Sequence, residues 1–428
     1  MIKSTIRNFI GTLSIASVLL ITGCNDIDNS DGNTVGSNLI NAEIIEDINA
    51  STMLTIVKSS IDANATNAFG YKAVKLSYKT KGQNNKDITA SGLLVIPTAS
   101  EAYAQYRTAI GEDPFSISMI CDNHGTIFTN AEAPSNTEVT DGMPNHSLAV
   151  SMTGYAGFAA ILPDYIGYGD SNSTRKPYMM RSSAAQDSLD MIRASIRYMT
   201  DNGILFNGQL FLSGYSQGGY NTLALAKDIE LNHSDEFTLK GVAPMAAPSM
   251  LKNFGDAVLQ TDANMSVPAF MAFIADSYSY YSDNITLDEM ILDTKTDVFD
   301  TLFNGTNDIT AIHTNLQLPL NAPTLGLFKS SFVTEYMNDN NHKLKQLFEA
   351  NDVVSWNSSS PINLIHCEND DVIPYTFSAG AKQSLEASGS TDITLTPIDG
   401  NYTHTTCGQA AYGTAIKWFS EIRKPEEN

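Results

Sequence analysis

Leu-Ser-Gly-Tyr-Ser-Gln-Gly-Gly, residues 212–219, is the stretch from which the rest of the chain is read. Inside it, Gly214-Tyr215-Ser216-Gln217-Gly218 sets a serine between glycines placed two positions to either side. That pattern suits a turn from strand to helix so tight that the central serine takes strained backbone angles, leaving no room for a side chain at the flanking glycines. The neighbouring residues agree. Residues 209–213 (Gln-Leu-Phe-Leu-Ser) form a short apolar run of strand type, and residues 221–230 (Asn-Thr-Leu-Ala-Leu-Ala-Lys-Asp-Ile-Glu) have helical composition and spacing. Strand, turn and helix follow in the order that exposes Ser216 as a nucleophile.

Working outward, residues 70–98 predict a hairpin with its turn at Lys81-Gly-Gln-Asn-Asn-Lys86. Strands follow at 116–121 and 158–162, and a helix at about 181–201, where Ala184, Leu189, Ile192, Ile196 and Met199 fall near helical spacing. Beyond the serine come a helix at 217–231, strands at 240–246 and 361–367, a helix near 375–387, a strand at 392–397 and a last helix carrying Ala411, Ala415, Ile416, Phe419 and Ile422. Alternation of this kind predicts an α/β fold, a mostly parallel central sheet with helices on both faces. Residues 249–355 break the rhythm with helical segments and loops. They read as an insertion capping the site, in which Tyr278, Tyr280 and Tyr281 are expected to pack.

The N-terminus reads as a targeting segment. Lys3 and Arg7 precede an apolar run from Phe9 to Ile21, and Ile21-Thr-Gly-Cys24 resembles a bacterial lipobox whose cysteine is acylated. Residues 1–23 are therefore expected to be a lipoprotein signal peptide, with the mature protein exported, tethered to the cell envelope through Cys24 and otherwise free of the membrane. Residues 24–50, rich in Asn, Asp, Ser and Gly, read as a flexible tether. A net charge of −22 argues against nucleic acid as a partner. No spacing of His and Cys suggests a metal site.

A serine hydroxyl needs a base, and the base needs an acid to hold its tautomer. In strand–turn–helix enzymes of this type the chain order is serine, acid, histidine. Of the five histidines after Ser216, His404 sits just before the last helix, in Asn401-Tyr-Thr-His-Thr-Thr-Cys407, whereas His366 reads as the polar end of a strand. Asp370, in Glu368-Asn-Asp-Asp-Val-Ile-Pro374 past the end of strand 361–367, is the expected acid, with Asp371 and Glu368 as alternatives. An oxyanion would take backbone N–H groups from Gln217 and from Thr126, in the Asn123-His-Gly-Thr126 loop that His124 is expected to brace. Cys367 lies three residues before Asp370 and Cys407 three after His404. A bridge between them would close a loop of about 41 residues, worth about 4 kcal/mol in the chain-entropy model, and would leave Cys121 as a free thiol.

Five stretches together resemble the α/β-hydrolase superfamily, and within it secreted bacterial lipases and esterases related to the fungal lipase A type. They are His124-Gly-Thr126, Pro163-Asp-Tyr-Ile-Gly-Tyr-Gly-Asp-Ser171, Gly214-Tyr-Ser-Gln-Gly-Gly219, and the loops of Asp370 and His404. The resemblance implies a hydrolase core over 51–248 and 356–428, and hydrolysis of a small-molecule or lipid ester through an acyl-enzyme without a cofactor. It also implies that the cap over 249–355 lines the acyl pocket. Pro163-Asp164-Tyr165 is expected to shape a loop. A serine peptidase of prolyl-oligopeptidase type shares the serine turn and the chain order, and a non-catalytic ligand-binding surface lipoprotein could reuse the fold; both remain alternatives here.

Overall fold

The computed structural model describes residues 38–98, 105, 108, 109, 116–136 and 147–423. Nine strands form one sheet: β1 (Leu39–Ile48), β2 (Gly70–Lys81), β3 (Asp87–Thr98), β4 (Ser116–Asn123), β5 (Ala159–Pro163), β6 (Leu205–Tyr215), β7 (Leu239–Met245), β8 (Ile362–Cys367) and β9 (Ile393–Ile398). Their order is β1-β2-β3-β5-β4-β6-β7-β8-β9. The first three run antiparallel to their neighbours, and every pairing from β5 to β9 is parallel. The parallel strands in the middle carry continuous apolar runs because both of their faces are covered. Leu210, Phe211 and Leu212 of β6 have no exposed surface.

Helices α2 (Arg181–Asp201), α3 (Gln217–Asn232) and α9 (Thr376–Ala387) pack one face of the sheet. The other face takes α1 (Ala50–Ser60) and α10 (His404–Arg423), through Met53, Val57, Ala411 and Phe419. Between β7 and β8 the chain leaves the sheet and builds a helical insertion, the segment expected from the sequence to be a cap. Its main helices are α4 (Leu251–Val258), α5 (Pro268–Tyr281), α6 (Ile309–Leu316), α7 (Ser330–Asn338) and α8 (Lys343–Ala350), and a two-residue ribbon pairs Asn264–Met265 with Ala322–Pro323.

Two expectations change. The stretch 24–50 is not a tether throughout, because its second half is the edge strand β1, paired with β2 from Leu39↔Tyr78 to Ile48↔Tyr71. The polar composition that suggested a tether is concentrated before residue 38. Leu39, Ala42 and Ile45 instead pack against the two faces of the core, and Ile48 is buried within one of them. Residues 1–37, and with them Cys24, lie outside the described residues. Strand β6 also begins earlier than residue 209. Gly208, at φ 84°, carries a bulge that lets Leu205 and Phe206 continue the pairing with β4.

Candidate active site

The site stands at the carboxyl ends of the parallel strands. Ser216 occupies the turn from β6 into α3 with φ 60° and ψ −120°, an arrangement a non-glycine residue adopts only under constraint. The flanking glycines are required by close approach. A Cβ at Gly218 would lie 1.8 Å from Asn123 O, and one at Gly214 would lie 2.4 Å from Gly218 O.

His404 comes from the far end of the chain, 188 positions on, and its Nε2 lies 2.8 Å from Ser216 Oγ. Its Nδ1 lies 2.6 Å from Asp370 Oδ2. The backbone of His404 is held from two sides. Asp371 Oδ1 accepts the His404 N–H at 2.8 Å, and the Tyr215 hydroxyl donates to His404 O at 2.7 Å. His404 is the first residue of α10 rather than a loop residue. The helix starts there because Thr403 and Thr406 exchange side-chain and backbone hydrogen bonds across its first turn. That threonine pair was visible in the sequence.

Asp370 sits in the turn after β8 with its carboxyl fully buried. Its Oδ1 accepts the N–H groups of Val372 and Ile373 at 2.9 and 2.8 Å. Burial by itself would raise this carboxyl. The hydrogen bonds from His366 and His404, the charge of His404 and the Ile373 N–H outweigh it and hold Asp370 well below the usual carboxylate range. Of the two alternative acids, Asp371 caps α10 and Glu368 is exposed.

The loop after β4 passes beside the serine, with the Cβ position of Gly125 3.9 Å from Ser216 Cβ. Thr126 is anchored by its hydroxyl, 2.8 Å from the Tyr178 hydroxyl. Among the described residues, neither Thr126 N–H nor Gln217 N–H has an internal acceptor. For Gln217 the reason is its place at the head of α3. His124 stacks on Tyr165 at 3.9 Å between ring centroids, with Nδ1 2.7 Å from Gly125 O and Nε2 3.2 Å from Asp164 O. Burial lowers its basicity against the opposing pull of the Gly125 and Asp164 carbonyls, and the ring stands outside the Ser216–His404 line. Asp164 takes hydrogen bonds from Ser91 Oγ at 2.5 Å and from Ser135 N at 2.8 Å, and so ties three segments together.

Cys367 and Cys407 are joined, with their Cα atoms 6.1 Å apart, and Cys121 is free and buried. The bridge links the end of β8, just before the Asp370 turn, to the helix that His404 opens.

Beside Gln217 a cleft runs between α2, α3 and cap helix α5, lined by Tyr165, Tyr178, Asp187, Gln217, Asn221 and Phe273. Cap and core are latched along it. Arg175 pairs with the buried Asp276, Tyr281 donates to Arg175 O, and Lys176 Nζ donates to Phe303 O at 2.9 Å. Asp187 accepts from the Tyr78 hydroxyl at 3.0 Å, and burial pushes its carboxyl up to about 8. An unfolded aspartate titrates near 3.9, so from about pH 4 to 8 the folded protein keeps a proton that the unfolded chain has released. Stability from this group is therefore lost as the pH rises through that window. Asp187→Asn is expected to flatten the fall, read as the denaturation midpoint at pH 5 and at pH 8. An unchanged slope in the variant would contradict the assignment.

The model of the family described as secretory lipase matches residues 135–424, a span that takes in strands β5 to β9, the segment between β7 and β8, and every residue of the Ser216–His404–Asp370 line. The chain belongs to the secretory lipase family. Like the family, this secretory lipase is a hydrolase of carboxylic esters. Among solved structures it resembles a Legionella pneumophila protein, with a TM-score of 0.77, 20% identity, and coverage of 91% of this chain and 99% of the other. It also resembles the rice cell wall degrading esterase LipA from Xanthomonas oryzae, at TM-score 0.76 and 21% identity over 90% and 97% of the two chains. Candida antarctica lipase A in its closed state follows at TM-score 0.61 and 15% identity over 91% and 83%. At these identities the likeness is one of fold. No curated protein is similar enough in sequence to be matched.

Proposed function

We propose that this secretory lipase cleaves its ester through an acyl-enzyme on Ser216. The carrying observation is the continuous hydrogen-bonded line from Ser216 Oγ through both nitrogens of His404 to Asp370 Oδ2. In this reading His404 Nε2 takes the serine proton as Oγ attacks the ester carbonyl, and Asp370 holds the proton on Nδ1 and stabilises the imidazolium. The N–H groups of Gln217 and Thr126 receive the oxyanion. His404 passes the proton to the leaving alcohol. Water then repeats the attack on the acyl-enzyme and releases the acid.

The cap, residues 249–355, covers the site and lines the acyl pocket, a reading supported by Phe273 standing in the same cleft as Gln217. Export is supported by the secretory character of the family and by the N-terminal targeting pattern. Attachment to the envelope through Cys24 follows from the lipobox pattern. Palmitate labelling of the full chain should disappear in Cys24→Ser; labelling that persists would remove the anchor from the account.

The function is tested by hydrolysis of p-nitrophenyl esters from acetate to palmitate, comparing residues 25–428 with their Ser216→Ala counterpart. The expected result is turnover that depends on Ser216, with a chain-length optimum that measures the pocket under the cap. Equal turnover by both proteins would overturn the assignment.

A further inference from the structure

His366 is the fifth residue of β8 and its side chain has no exposed surface. It approaches the same carboxylate oxygen of Asp370 that faces His404. Its Nε2 is 2.9 Å from Ile373 O and 3.4 Å from Asp370 Oδ2, and its Nδ1 is 2.8 Å from Ser378 Oγ on α9. Carbonyl and carboxylate oxygens only accept hydrogen bonds, so the proton must sit on Nε2. Nδ1 then accepts from the Ser378 hydroxyl. Ser378 thus holds the ring in one orientation, with Nε2–H 2.9 Å from Ile373 O and 3.4 Å from the carboxylate.

Asp370 is therefore surrounded. Oδ1 receives two backbone N–H groups, and Oδ2 receives His404 Nδ1–H at 2.6 Å and has the His366 Nε2–H 3.4 Å away. Backbone donors on Oδ1 alone leave the carboxylate free to rock about its Cβ–Cγ bond. A second donor on Oδ2 restrains that oxygen and draws off part of its negative charge. Ile373 joins the two contacts, since its N–H goes to Asp370 and its carbonyl to His366.

We propose that His366 is a positioning residue for catalysis, aiming Asp370 Oδ2 at His404 and tempering the charge that His404 feels. This inference rests on the reading of Ser216, His404 and Asp370 as the catalytic line. Other ionisable groups face the cluster: Asp371 on the His404 N–H, Tyr215 with its ring 5.1 Å from that of His404, and Tyr375 with its ring 5.8 Å from that of His366. Glu368 acts on Tyr375 through its charge, and the Tyr412 ring lies tilted against that of Tyr215, 6.5 Å between centroids. All of these stay in place when only His366 is changed.

The test compares wild type with His366→Phe, which removes the donor; His366→Gln, which restores one near Nε2; and Ser378→Ala, which removes only the tautomer lock. With less donation, Oδ2 carries more charge and favours the imidazolium of His404. The acidic limb of kcat/KM against pH should then move up by about half a unit to one unit in His366→Phe, and kcat should fall about tenfold with KM little changed. His366→Gln should return both toward wild type, and Ser378→Ala should move both by less and in the same direction. The histidine NMR titration of His404 should show the same upward displacement, a readout that needs no turnover. An unchanged limb and an unchanged titration in folded His366→Phe, or in Ser378→Ala if the former does not fold, would make His366 a strand-end anchor and overturn the proposal. Wild type without Ser216-dependent ester turnover would instead overturn the proposed function, and the NMR titration would still decide the inference.

Discussion

Replacing Ser216 with alanine is expected to lower kcat for p-nitrophenyl ester hydrolysis by about 10⁵- to 10⁶-fold, with the melting temperature unchanged. The size follows from the geometry. His404 Nε2, 2.8 Å away, has one nucleophile to activate, and removing it leaves only the oxyanion donors to act on water. Stability should hold because the Ser216 hydroxyl faces His404 and not a packed core. Residual activity a few hundredfold below wild type would mean that another group attacks the ester.

Asp370→Asn is the second large effect, a fall in kcat of about 10⁴-fold at neutral pH. Asp370 Oδ2 accepts the Nδ1–H, so the lone pair of Nε2 points at Ser216. An asparagine in the same place can present its NH₂ group to Nδ1, which transfers the ring proton to Nε2 and leaves Ser216 facing a donor. Structure and substrate binding should survive, so KM should change little while kcat collapses. Steady-state kinetics on purified variant and wild type check this, and a loss of less than about tenfold would remove Asp370 from its role.

The parts of this molecule legible in its sequence are those written locally. Gly214 to Gly218 has a turn of its own, the apolar runs of β4, β6, β7 and β8 mark buried parallel strands, and chain order together with a place just before the last helix singles out His404 as the candidate base. Strand β1 was hidden because its apolar residues follow a polar stretch and were averaged with it. Asp371 is read from the sequence only as an alternative acid; its hydrogen bond to the His404 backbone N–H exists only when two distant loops meet. His366 read as a strand end for the same reason. Its partners Ile373 and Ser378 reach it through the turn after β8 and the first turn of α9. The high pKa of Asp187 depends on burial between α2 and β2, which no local pattern announces.

The most direct test of the account is covalent trapping of the nucleophile. Treated with diethyl p-nitrophenyl phosphate, the mature protein should gain one diethylphosphoryl group per chain, on the peptide containing Ser216, with ester hydrolysis lost in step with labelling. Full labelling that leaves hydrolysis intact, or an adduct on any residue other than Ser216 that abolishes it, would contradict the central claim.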